Sequence, residues 1–179
     1  MAMSKKISIQ LSEQSIKKAI KDLEQYKKDL NRKIEIFTEK LARKGVEIAE
    51  RQVNKSPLGK TVTLRTEVKN ADGISRVVLI ATGEIKQSED YPPFNTLLAI
   101  EFGAGIHYNP VPNPNADKFG LGVGSFPGQI HAYEDYWFYW DEKQQKWLPT
   151  HGVEATMPMY KASVEIIESV KDVAKEVFG

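Results

Sequence analysis

Asn95-Thr-Leu-Leu-Ala-Ile-Glu-Phe-Gly103 is the stretch whose reading decides the fold. Leu97, Leu98, Ile100 and Phe102 are apolar, and Glu101 is the one charge inside the run. Gly103 and Gly105 close it, because glycine reaches backbone angles that other residues avoid. A short apolar run that stops in a turn is the pattern of a buried strand. The stretch is therefore read as a strand at the centre of a sheet. Glu101, Phe102 and Gly103 form a structural turn at its end, aimed at the functional surface.

Upstream, residues 75–82 (with Val77, Val78, Leu79 and Ile80) and residues 61–69 (with Val62, Leu64, Thr66 and Val68 on one face) read as paired strands. Ala71-Asp-Gly73 supplies the turn between them. The region 61–102 is thus a β-meander. Before it, Asn54-Lys-Ser-Pro-Leu-Gly59 ends a long helix, since Pro57 forbids its continuation. That helix occupies 12–54, with Ser12 as its N-cap. Ile16, Leu23, Leu30 and Phe37 recur every seven residues, interleaved with Ile20, Ile34, Leu41 and Ile48. Such a helix reaches about 60 Å, more than a domain of this size can bury. The expectation is that it breaks, near Asn31 or Gly45, or that part of it packs on a partner subunit.

Downstream, residues 104–130 are rich in glycine and proline and contain no convincing element. They read as a flexible loop that carries Tyr108, Phe119, Leu121 and Phe126 as anchors for a partner. Its replacement over 108–124 by a short linker is expected to leave the domain folded. Residues 133–149 read as an aromatic ribbon that brings Trp140 near Trp147 across its strands. Tyr136, Trp137 and Trp140 join the candidate interface, since Trp and Tyr dominate such contacts. Thr150-His-Gly152 is a bend. Pro158 then opens a helix over 157–178, whose stripe is Ala162, Ile166, Val170, Val173 and Val177, widened by Ile167 and Ala174. The fold class expected is α+β. A mainly antiparallel sheet is flanked by a long N-terminal helix and a C-terminal helix, in a single domain with a long Gly/Pro-rich loop.

At 179 residues the chain can bury one core, and its hydrophobic content of 41% and charged content of 27% are those of a globular protein. No cysteine is present, which excludes disulfides and thiolate metal sites. No apolar run is long enough to span a bilayer. Residues 1–10 hold lysines but no apolar segment, so they are not read as a signal peptide, and synthesis in the cytoplasm is expected. Residues 1–60 carry 15 Lys and Arg against 8 Asp and Glu, whereas the rest carries 10 against 16. A basic half can bind nucleic acid, but lysines that alternate with acids read as a solvated helix. Weak, non-specific DNA binding is the most that is expected. A basic and an acidic end also suit head-to-tail contacts between subunits.

His107, His131 and His151 lack the spacing of a zinc site. No metal or cofactor is expected. Glu101 beside His151 could act as an acid/base pair, but no nucleophile accompanies them. The carboxylate is read instead as an acceptor for N–H groups of the Gly103–Gly105 turn. Gly120-Leu-Gly-Val-Gly124 lacks the ending and flanking elements of a phosphate loop.

In this order the segments resemble those of neck or tail-completion proteins, minor tail components of long-tailed bacteriophages and prophages. Lys55-Ser-Pro-Leu-Gly-Lys-Thr-Val-Thr-Leu-Arg-Thr66 is similar to the family's helix end, proline and Gly-x-Leu-Arg strand start. Ala49, Pro57, Gly59, Leu64 and Arg65 hold those places, with extra residues between Gly59 and Leu64. Leu98-Ala-Ile-Glu-Phe-Gly103 resembles its Tyr-Ala…Val-Glu-Phe-Gly segment, with Leu98 in place of the tyrosine. A variable Gly-rich loop follows. Thr150-His-Gly…Met157-Pro-Met-Tyr-Lys-Ala162 resembles the approach to its last helix. The resemblance implies a structural virion protein without catalytic residues or cofactor, which joins or completes the tail as one subunit of a ring. Its partners would be copies of itself and neighbouring neck or tail proteins, with no membrane. Its place would be the virion, after synthesis in the host cytoplasm. The rivals are a nucleic-acid-binding protein that uses the basic half, and a small hydrolase that uses Glu101 and His151.

Overall fold

A computed structural model describes residues 12–71, 73–87, 93–104, 113–119, 136–141 and 143–179. Helix α1, Glu13–Val53, is a single uninterrupted element of 41 residues. Ser12 starts it as expected, its Oγ accepting the Ser15 N–H at 3.3 Å. Neither Asn31 nor Gly45 breaks it. Gly45 has a packing role instead, because a Cβ there would lie 2.6 Å from Cδ1 of Ile166. After Asn54 the chain turns sharply. The Leu58 N–H bonds to Ser56 Oγ at 3.2 Å, and Gly59–Thr61 forms a single 3-10 turn. A side chain at Gly59 would collide with the Val53 carbonyl.

Strands β1 (Val62–Ala71) and β2 (Ile74–Gly83) form an antiparallel hairpin, with Ala71 opposite Ile74 and Gly73 at φ 81°. Short strands β3 (Ile85–Lys86) and β4 (Phe94–Asn95) pair next. Strands β5 (Trp137–Asp141) and β6 (Lys146–Thr150) form a third antiparallel pair, with Trp140 opposite Trp147. Among the described residues each sheet has two strands, and none joins another.

The expected sheet with a strand over 96–102 at its centre is therefore incorrect. Thr96–Phe102 is a seven-residue helix, α2. Asn95 caps it, its Oδ1 accepting the N–H groups of Leu97 (3.0 Å) and Leu98 (3.3 Å). A capped start lets Thr96, Ala99 and Ile100 turn to one side and become buried while Leu98 faces out. With that stretch helical, no strand among the described residues joins the hairpin to the aromatic ribbon. The fold is predominantly helical, with three small ribbons attached.

Helix α3, Pro158–Phe178, packs antiparallel on the C-terminal half of α1. Gln52 meets Lys161, Gly45 meets Ile166, Lys40 pairs with Glu176, and Phe37 meets Phe178 with ring centroids 5.6 Å apart. The core is largely alanine (Ala49, Ala99, Ala162) with Val53, Ile100, Met157 and Val173, so the helices approach closely. Ile167 and Val170, assigned to the inner stripe by their spacing, face outward, and Ser169 takes the buried position.

Candidate functional site

Helix α2 gathers the chain around itself. Thr96, fully buried, donates its N–H (3.0 Å) and Oγ1 (3.2 Å) to the Glu84 carbonyl. At its other end the Ile100 carbonyl accepts from the N–H groups of Thr156 and Met157. Gly103, at φ 81°, ends the helix, and Ala104 then pairs with Val153 through two backbone hydrogen bonds.

Glu101 lies at the centre of this arrangement and is only 8% exposed. Its Oε2 accepts the Met159 N–H at 2.9 Å. Its Oε1 accepts the Tyr160 N–H at 2.9 Å and Asn113 Nδ2 at 3.0 Å. Asn113 also donates to the Glu101 carbonyl (3.1 Å) and is itself buried. The two backbone N–H groups belong to the first turn of α3. That helix follows Met157, a left-handed residue (φ 57°) whose side chain makes no cap. Glu101 thus caps a helix that starts 57 residues later. The carboxylate's negative charge suits the positive end of the helix dipole. Its expected partners were N–H groups of its own turn; the observed partners are distant. Proton transfer to a substrate would first have to break three hydrogen bonds. His151, the other member of the hydrolase pair, lies edge-on beside Tyr136 with centroids 6.4 Å apart. His107 and His131 lie outside the described residues.

Lys161 borders this cluster, with Nζ 3.4 Å from Gln52 Oε1. Burial, and secondarily the charge of Lys55, hold its pKa below the ordinary lysine value, and Glu101 opposes the shift.

The loop expected to lie free of the core is pinned in its middle. Asn113 and Ala116 are buried, residues 117–119 form a 3-10 turn, and Phe119 stacks against Phe102 at 5.3 Å. A linker over 108–124 would remove all of these contacts, so the expectation of an unaffected fold does not stand. Of the candidate interface residues, Phe119 keeps 65% of its surface exposed and Tyr136 is also exposed. Trp137 and Trp140 lie in β5 with the ribbon's register. Tyr108, Leu121 and Phe126 fall outside the described residues.

A second exposed surface is larger. Helix α3 reaches only as far along α1 as Phe37, and the tip of the β1–β2 hairpin continues the cover to Asn31 and Lys27 across an open cleft of about 370 Å³. Ile16, Ile20, Leu23 and Tyr26 before that point, and Leu30 at its edge, remain between 37% and 52% exposed, while Ala19 alone of that half is buried. Among the described residues the apolar stripe that packs on α3 therefore continues without cover for about four turns.

Among the described residues no helix is long and apolar enough to cross a membrane, and no group of three or more His, Asp or Glu side chains is placed to hold a metal ion. No protein-family model, curated protein or solved structure matches the chain.

Proposed function

We propose that this chain is an assembly protein, which completes or joins the tail at the head–tail interface of a long-tailed phage or prophage particle as one subunit of a ring. The observation that carries the assembly reading is the uncovered stripe of α1. Full burial of a large apolar side chain contributes ~1.5–3 kcal/mol. Five such side chains, each about half exposed, leave roughly 5 kcal/mol of hydrophobic free energy to be gained on docking. Monomeric proteins rarely leave such a patch bare. The place in a phage tail rests on the sequence segments around Pro57, Glu101 and Pro158.

The test is sedimentation of the parent chain beside the double variant Ile20→Lys, Leu23→Lys. The parent is expected to sediment as an oligomer and the variant as a monomer with an unchanged melting temperature. In the phage or prophage that encodes the chain, its deletion is expected to leave filled heads and finished tails unjoined, and the double variant to fail to restore joining. A parent that is monomeric at every concentration, in particles that assemble without it, defeats the proposal.

A further inference from the structure

We infer that the uncovered half of α1 docks onto the outer face of α3 in a second copy of this chain, in a head-to-tail contact. The inference rests on the assembly reading and names its partner surface. Three observations lead to it.

The first is continuity. The stripe on α1 follows a repeating three-four spacing from Ile16 to Ile48, with Lys27 as the exception. Its C-terminal part already receives a helix, the inner face of α3, at Phe37 and Gly45. Where α3 ends, the same seam runs on in the same geometry, so another helix suits it. The second is that α3 has an outward stripe as well as an inward one. Ala162, Ser169 and Val173 are buried against α1, while Ile167 is 71% and Val170 is 42% exposed. Val164 and Ala174, both half-buried, lie on that outer row at helical spacing, with Lys171 between Ile167 and Ala174. The third is charge. Residues 16–33 carry seven Lys and Arg against three Asp and Glu. On α3, Glu165 and Glu176 already pair with Lys44 and Lys40 of α1, and the exposed side carries Glu168 and Asp172 beside Lys171 and Lys175. Pairing α1 with α1 would bring two basic surfaces together. Pairing α1 with the outer face of α3, which is balanced in charge, avoids that repulsion and places Glu168 and Asp172 within reach of the lysines of α1.

The two surfaces do not overlap. One copy can give its α1 to a neighbour while its α3 receives another. A contact of this kind propagates, and it closes into a ring when the rotation per subunit permits.

The chain has no cysteine, which makes the test clean. Proteins with Ile16→Cys, Leu23→Cys or Leu30→Cys, spanning the register, are each mixed with an Ile167→Cys protein and a short bismaleimide cross-linker. The expected product is a covalent dimer of one α1 variant and one α3 variant, with no dimer in any single-variant sample. Reversing Lys17 and Lys21 to Glu is expected to abolish it, and reversing Glu168 and Asp172 to Lys in the other protein to restore it. Cross-linking within a Leu23→Cys sample alone would establish α1 against α1 and overturn the inference. So would an oligomeric parent that gives no mixed dimer; in both cases the assembly reading survives. A monomeric parent with no cross-link overturns the inference and the assembly reading together, and flotation of that monomer with phosphatidylserine–phosphatidylcholine vesicles would assign the stripe to a membrane surface instead.

Discussion

Residues 34–53 and residues 13–33 belong to one helix and carry the same spacing of apolar side chains. The first group contains the buried Gly45, Ala49, Gln52 and Val53, covered by α3; the second has only Ala19 buried. The difference comes from length. Helix α1 has 41 residues and α3 has 21, which leaves about 30 Å of α1 beyond the reach of its partner. An amphipathic period states which face of a helix needs cover. It does not state whether the cover comes from the same chain. The covered half is held by close approach of small residues and by a cap from α2. The uncovered half stands on backbone hydrogen bonds and on side-chain pairs such as Lys17–Glu13 at 2.6 Å, each adding only a few tenths of a kcal/mol.

The largest way to erase this contrast is at Glu101. Glu101→Ala leaves the Met159 and Tyr160 N–H groups and the Asn113 amide without their acceptor. Each loss costs ~1–3 kcal/mol, so urea unfolding is expected to show a decrease of about 3 kcal/mol or more. Amide exchange should rise in residues 34–53 as α3 loosens, while residues 13–30 exchange as before. Glu101→Gln keeps one acceptor oxygen and should lose less. A change below ~1 kcal/mol for the alanine variant would remove the capping role.

Next comes Gly45→Val, which forces the new side chain against Ile166. Overpacking of this kind costs ~1–3 kcal/mol. Ile166→Ala in the same chain is expected to recover part of that loss, and the double-mutant cycle should show clear coupling. Strictly additive effects would mean that α3 does not approach α1 as closely as described.

The smallest effect lies at the far end of the seam, where Lys161 meets Gln52. The pKa of Lys161 is lowered from 10.5 in the folded chain, first by burial. The folded state therefore holds this proton less tightly than the unfolded state. At neutral pH both states are protonated, and the charged lysine is a penalty. As pH rises through the folded value towards 10.5, the folded state loses its proton first and the penalty lifts. The parent should thus gain stability relative to Lys161→Gln between neutral pH and alkaline pH. A stability difference that stays flat across that range contradicts the shift.

Much of the long architecture is legible in local chemistry. Ser12 offers a side-chain acceptor before a periodic run, Pro57 stops it, Asp72-Gly73 turns a β-branched pair, and Pro158 opens a helix. The central stretch was misread because seven residues with four large apolar side chains satisfy a buried strand and a buried helix alike. The deciding signal was Asn95, an N-cap residue directly before the run. The Glu101 cap was legible only in retrospect. Met157-Pro158 starts a helix with no local capping side chain, and a lone acid in an apolar run is a candidate to supply one. The tie through Asn113 left no signal, since it joins two residues 12 apart across a loop without periodicity. Spacing alone places Ile167 and Val170 inward, because a stripe of seven apolar residues is wider than the face α3 buries.

The order in which the chain leaves the ribosome follows from where α3 sits. Helix α1 is complete at Val53, and the helix that covers its inner seam begins at Pro158. About a hundred residues separate them, which at ~5–20 residues per second is roughly 5–20 s of synthesis. Through that interval the face of α1 that α3 will cover is a bare apolar seam as well, with only the β1–β2 hairpin already made beside the helix. The covered half is bare only until α3 is made, a state that a chaperone can hold off from aggregation. The apolar side chains of the other half stay exposed when folding of the single chain is complete.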